Sequence, residues 1–305
     1  LGIICLTYIS YLIDFDKNKI KSIFLNLNYL LIIISVLIYL LSHSVRVLRL
    51  IILNPNSNYS MIGLWKEQYK ANGINLLLPF KLGESYRLIY FKSFFGSYYN
   101  SFTILLCERL MDLLTIFLIL TLCIIFSTAN IPNLNYILFG SFILLIIVIL
   151  IYFSIEEITT LVHKIFIQKK TNSINVFIVN LTSDLLRSIK TIKSILKQKY
   201  SSCFVLSLLI WGLEIAAFFI FYDALNGQLD LIIFLALAVS LSSLLPNGPM
   251  GYGGIQLAFY SVGAAVNNFD LVNYSIIYSL FIFGSGLFFA GMLFLYDFFR
   301  INKND

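Results

Sequence analysis

Glu84 and Arg87 stand three apart, and Glu108, Arg109 and Asp112 follow in the next apolar stretch. On a helix, an acid and a base three or four apart share a face and can pair. With Lys81 these motif residues are three positive and three negative side chains, a sum of zero. A guanidinium presents a planar fork that grips a carboxylate or a phosphate through parallel hydrogen bonds. Arg87 and Arg109 could therefore exchange an internal carboxylate for an anionic ligand, or the network could serve only to cement two helices.

These charges sit in sequence of the wrong polarity for a soluble protein. Of 305 residues, 59% are hydrophobic and 12% charged, against roughly 45 to 50% and about 25% in ordinary domains. Mean hydropathy is +0.90. An ionised side chain within a span costs about 2.5 to 3.5 kcal/mol, so an intramembrane charge marks a functional site by default. At about 20 residues per span, the chain allows about seven or eight crossings and no sizeable soluble domain. The expected fold is all-α, one polytopic transmembrane domain over 1–305, with halves at 1–155 and 200–305 around a basic segment at 156–199.

Apolar runs at 26–49, 100–128, 134–155, 201–222, 230–246 and 273–298 predict spans, and residues 1–13 predict a short or clipped first one. Two Pro/Gly interruptions break this pattern. Leu77, Leu78, Pro79 and Gly83 form the first and predict a re-entrant hairpin over 65–97, because freed backbone groups at membrane depth need protein or a water-filled cavity around them. Leu244, Leu245, Pro246, Gly248 and Gly251 form the second. Broken segments at corresponding positions of two halves mark the midplane site of a transporter, and an inverted repeat would supply one wall from each half.

Arg46 and Arg49 end the 26–49 run on one helical face, where they either snorkel to headgroups or guide an anion inward. Glu214 lies near the centre of its span and is expected to face the interior. From Glu156 to Lys199, eight basic residues outnumber three acids, and Leu181, Leu185, Ile189, Ile192 and Leu196 recur at helical spacing. That segment reads as an interfacial amphipathic helix or as a cytoplasmic linker. Lys and Arg placement puts 14–25, 156–199 and the C-terminus in the cytoplasm. The net charge of +6 is thus assigned to anionic membrane lipids rather than to nucleic acid.

In the second interruption, Gly248, Gly251 and Gly253 precede a helix whose free N–H groups would bind an anion, with Gln256 just inside it. Close packing of small residues explains the glycines as well. Neither a P-loop spacing nor a C-x-x-C pair is present, and His43 and His163 are far apart, so no metal or other cofactor is expected. No Ser/His/Asp or Cys/His arrangement argues for an enzyme. A single carboxylate working as acid or base stays a minority reading.

Four motifs follow in order over roughly 20–300: Arg46-Val-Leu-Arg49, Pro79-Phe-Lys-Leu-Gly-Glu84-Ser-Tyr-Arg87, Glu108-Arg109-Leu-Met-Asp112 and Pro246-Asn-Gly-Pro-Met-Gly-Tyr-Gly-Gly-Ile-Gln256. In these the chain resembles the lysylphosphatidylglycerol synthase transmembrane-region family, flippase-like membrane proteins found alone or as the membrane half of lipid-aminoacylating proteins. The resemblance implies movement of a lipid between leaflets. The family usually carries a glutamate after the glycine turn, often preceded by Arg, where Ile255 and Gln256 stand here. Glutamine cannot titrate, which points away from an aminoacyl lipid and toward a polyprenyl-linked sugar or a glycolipid precursor.

The residues expected to meet the head group are Arg46, Lys81, Glu84, Arg87, Glu108, Arg109, Asp112, Glu214, Gly248, Gly251, Gly253 and Gln256. The expected function is a flippase for an amphiphile with an anionic or sugar-phosphate head in a prokaryotic cytoplasmic membrane. The alternatives are an accessory subunit that scaffolds a glycosyltransferase through 156–199, and an integral-membrane transferase.

Overall fold

The computed structural model describes residues 17–54, 59–78, 82–126, 134–168, 172–223, 232–244, 248–265 and 271–301. The expectations for residues 1–13 and for Lys81 lie outside them. Every regular element described is helical: α1 (Lys17–Leu25), α2 (Tyr29–Leu53), α3 (Met61–Leu77), α4 (Gly83–Phe95), α5 (Tyr98–Phe126), α6 (Leu134–Ile167), α7 (Ser173–Asp223), α8 (Ile232–Leu244), α9 (Gly254–Ala265), α10 (Leu271–Tyr278) and α11 (Gly284–Ile301). A tight 3-10 turn at Pro249–Gly251 precedes α9, and a π-helical turn at Ser279–Phe283 joins α10 to α11.

Local signals set the boundaries near the site. The Asn28 side chain accepts from the Leu31 N–H at the start of α2, and Ser60 accepts from the Gly63 N–H at the start of α3. Such caps satisfy donors that a helix start leaves free. Gly96 ends α4 in the left-handed region, at φ 84°.

Three stretches among the described residues are long and apolar enough to cross a membrane: Tyr29–Leu53, Lys193–Asp223 and Leu271–Arg300. In α2 the buried positions Ile32, Ser35, Tyr39, Ser42, Arg46, Arg49 and Leu53 recur at steps of three and four, and this face lies along α7. Tyr39 belongs to one apolar cluster, with Phe218, Phe259 and Tyr278, whereas Val47 belongs to another, with Leu64, Phe91 and Ile104. His43 and Arg46 fall between the two.

The helix α6 has 34 residues and so runs about 51 Å, past the roughly 30 Å of a hydrocarbon core. Its far end pairs with the first limb of α7: Lys193 donates to Glu156 at 3.0 Å, and His163 Nδ1 meets Thr182 Oγ1 at 2.8 Å. The segment 156–199, read from sequence as an amphipathic helix or a linker, is thus built as two paired helical limbs. Its stripe residue Leu196 is covered by protein, in one cluster with Cys107 and Met111 of α5. A bend at Lys199 (φ −120°, ψ 17°) then turns α7 into its apolar limb.

Close packing positions α3. Gly73 lies against Ala290 of α11 with no room for a Cβ, and Gly286 sits under Leu76 and Asn72. Small residues four apart let two helices approach in this way. The contact fixes Gln68, Asn72 and Asn75, at steps of four and three along α3, as part of one interior wall.

Candidate functional site

Four helices bring eight charged side chains together. α2 supplies Arg46 and Arg49, α4 supplies Glu84 and Arg87, α5 supplies Glu108, Arg109 and Asp112, and α7 supplies Glu214. Arg46 and Arg49, Glu84 and Arg87, Arg109 and Asp112, and Glu108 and Asp112 stand three or four apart on their helices, so each of these pairs shares a face. Four arginines face four carboxylates, and the cluster is again neutral.

One part of the network is sealed. Arg49 Nη1 donates to Asp112 Oδ1 at 2.8 Å and to Ser207 Oγ at 2.7 Å, and its Nη2 donates to Glu108 Oε1 at 3.0 Å. Trp211 Nε1 donates to the same Asp112 oxygen at 3.1 Å, and Arg87 Nη2 to Glu108 Oε2 at 2.5 Å. The side chains of Arg49, Glu108 and Asp112 are at most 1% exposed. Charges this deep persist because each is paired with an opposite charge.

The other part borders open space. Arg46 Nη2 donates to Glu214 Oε1 at 2.6 Å and Nη1 to Asp112 Oδ2 at 3.3 Å, with the guanidinium 5.4 Å from the Trp211 ring centre. Arg87 Nη1 donates to Glu84 Oε2 at 3.3 Å. Arg109 Nη2 holds Glu84 Oε1, and its Nη1 stands 3.5 Å from Asp112 Oδ2. Glu84 and Arg109, with side chains 28% and 35% exposed, are the most open pair of the network.

This part of the network borders a cavity of about 140 Å³. Its charged wall is Arg46, Glu84, Arg87, Glu108, Arg109 and Glu214; Gln68, Asn72 and Asn75 of α3 form a neutral polar wall, with His43 and Tyr39 of α2. Gly248 and Gly251 contribute from the second interruption, so both broken segments reach the same space. An apolar crevice of about 330 Å³ lies on another face of α5, lined by Leu110, Met111, Leu114, Phe153 and Tyr200 among others.

The structure redistributes several expectations. Arg49, read from sequence with Arg46 as either snorkelling to headgroups or guiding an anion inward, is the fully buried hub, and no signal near it in the chain separates the two. Asp112 is in the sealed part, and the cavity lining does not include it. Gly253 and Gln256 also stand outside that lining. Gln256 is 1% exposed, and its Oε1 accepts from the Gly253 N–H at 2.8 Å. This is the backward half of a capping box. The N–H groups of Gly248, Gly251 and Tyr252 bond to Tyr252, Gly248 and Pro249 carbonyls, so the turn uses these three donors internally. His43, Gln68, Asn72 and Asn75 were missed; the spacing of the amides along a weakly apolar helix was the available signal.

An all-helical chain with apolar spans around an internal, compensated charge network is a multi-pass membrane protein. The family model of the lysylphosphatidylglycerol synthase transmembrane region matches residues 1–294, and the chain belongs to that family. Membership links it to membrane lipids. No curated protein matches the chain, and no solved structure does.

Proposed function

We propose that the protein moves an amphiphile with an anionic, phosphate-bearing head between the leaflets of a prokaryotic cytoplasmic membrane, with its C-terminus on the cytoplasmic side. The observation that carries this reading is the split of the charge network. A sealed scaffold centred on Arg49 holds the helices, while Glu84 and Arg109 pair in the open at the cavity wall. Exchange of a carboxylate for a phosphate is least costly where both partners are already partly solvated.

A second feature supports it. Arg46 and Arg87 line the cavity, and the Nε–H of each has no acceptor among the described residues. Donors of this kind suit phosphate oxygens. The helix–break–helix pairs α3/α4 and α8/α9 fit discontinuous, re-entrant elements around a midplane site. Chemistry on the lipid is not part of the proposal, since the carboxylates are committed to arginines.

The test is transport in liposomes containing the purified protein, with fluorescent phosphate-headed and uncharged lipids and dithionite as the probe of leaflet. Faster exchange of the phosphate-headed lipid, lost in Arg109→Gln and Arg87→Gln, supports the reading. Unchanged transport in both variants, with folded protein, overturns it. Loss of transport only when the paired limbs at 156–199 are disrupted would favour the scaffold alternative, a glycosyltransferase docking there.

A further inference from the structure

The neutral wall of the cavity carries polar groups that the charge network does not use. Gln68 is 4% exposed and His43 6%, and both line the cavity. Among the described residues, neither Gln68 Oε1, nor Asn75 Oδ1, nor either ring nitrogen of His43 has a hydrogen-bond partner. Folded proteins leave few buried polar atoms in this state, because each has given up its water without a replacement. His43 meets rings instead, Tyr39 edge-on at 4.9 Å and Tyr69 at 6.0 Å.

The chemistry of these atoms restricts what can satisfy them. Amide oxygens only accept, and a neutral imidazole accepts at one nitrogen and donates at the other. An ionised phosphate brings acceptors alone, so it cannot serve Gln68 or Asn75. An ammonium brings donors alone, so it cannot serve the N–H that a neutral His43 ring presents. A hydroxyl both donates and accepts. Asn75 also joins the two walls, since its Nδ2 donates to Glu84 Oε1 at 3.4 Å.

We propose that Gln68, Asn75 and His43 form a hydroxyl-binding subsite, and that the head group is a phosphate-linked polyol, a sugar above all, with its phosphate toward Arg109. The inference rests on the transporter reading and names the substrate class for the same site.

The experiment is equilibrium binding to the full chain in nanodiscs, with a short isoprenyl phosphate, the same carrier bearing a hexose, and an aminoacyl phosphatidylglycerol. The variants are Gln68→Leu, His43→Phe and Arg109→Gln, each checked for its melting temperature. The wild type is expected to hold the hexose carrier at least about tenfold tighter than the bare one, the margin of one well-placed hydrogen bond to a buried group. Gln68→Leu and His43→Phe each lose most of that margin and keep wild-type affinity for the bare phosphate; Arg109→Gln weakens both. Equal affinity of the wild type for the two carriers, or tighter binding of the aminoacyl lipid, overturns the subsite while the anion site stands. No binding of either isoprenyl phosphate overturns the transporter reading and the subsite with it.

Discussion

Glu84 and Arg109 face each other across the contact of α4 and α5, at the edge of the cavity and with side chains 28% and 35% exposed. The same glutamate also accepts from Arg87 at 3.3 Å, and the same arginine reaches Asp112 at 3.5 Å. Each partner thus has a second contact to fall back on when the pair opens. A partly exposed pair whose members keep other partners contributes on the order of 1 kcal/mol to stability, so Arg109→Gln is expected to melt within a few degrees of the wild type. Thermal denaturation in detergent checks this, and a large loss would place Arg109 in the scaffold.

Arg49 is the opposite case. It serves Asp112, Glu108 and Ser207 at once, from a position with no exposure. Removing it takes an arginine from both Asp112 and Glu108 and leaves the network with one negative charge in excess in a dry interior. Arg49→Met is expected to cost about 3 to 5 kcal/mol, as breaking a buried pair does, and to show first as poor yield and a lowered melting temperature. Arg49→Lys keeps the charge but lacks the fork for three acceptors, so it should fall between Arg49→Met and wild type.

The contact of α3 with α11 depends on a missing side chain. A Cβ at Gly73 would collide with that of Ala290. Overpacking of this kind costs about 1 to 3 kcal/mol, and Gly73→Val is expected to lose that much. Because the same contact holds Gln68 and Asn75 in place, binding should weaken more than stability. Ala290→Gly, which reopens the space, should restore part of both in the double variant, read by melting temperature and ligand affinity together.

Gln256 gives a test of its own. As an acceptor for the Gly253 N–H at 2.8 Å it needs an oxygen, not a titratable group. Gln256→Glu is therefore expected to keep fold and transport, whereas Gln256→Leu should cost roughly 1 kcal/mol, the worth of one such bond. Hydrogen exchange at the Gly253 amide would report the lost cap directly.

The class of fold was legible because lipid tolerates so few solutions: long apolar runs in a chain with 12% charge leave little besides helices. Glu84, Arg87, Glu108 and Arg109 were legible because their spacing and cost made them conspicuous. Arg49 was not, since an arginine near the end of an apolar run has the same sequence context whether it snorkels or turns inward. What decides is Asp112, Glu108 and Ser207 on two other helices. Gln68 and Asn75 were hidden for a different reason. They lie on a helix too polar to read as a lipid-facing span, and only its packing on Ala290 shows which side of it faces the cavity.

A substrate phosphate is expected to replace Glu84 on Arg109. Removing the competitor should then tighten binding, while removing the receptor should abolish it. The measurement is the affinity of the purified protein for a phosphate-headed amphiphile in nanodiscs, for wild type, Glu84→Gln and Arg109→Gln. Several-fold tighter binding by Glu84→Gln together with loss in Arg109→Gln is the predicted result. Weaker binding in Glu84→Gln, equal to that of Arg109→Gln, would contradict it and make the pair a structural tie.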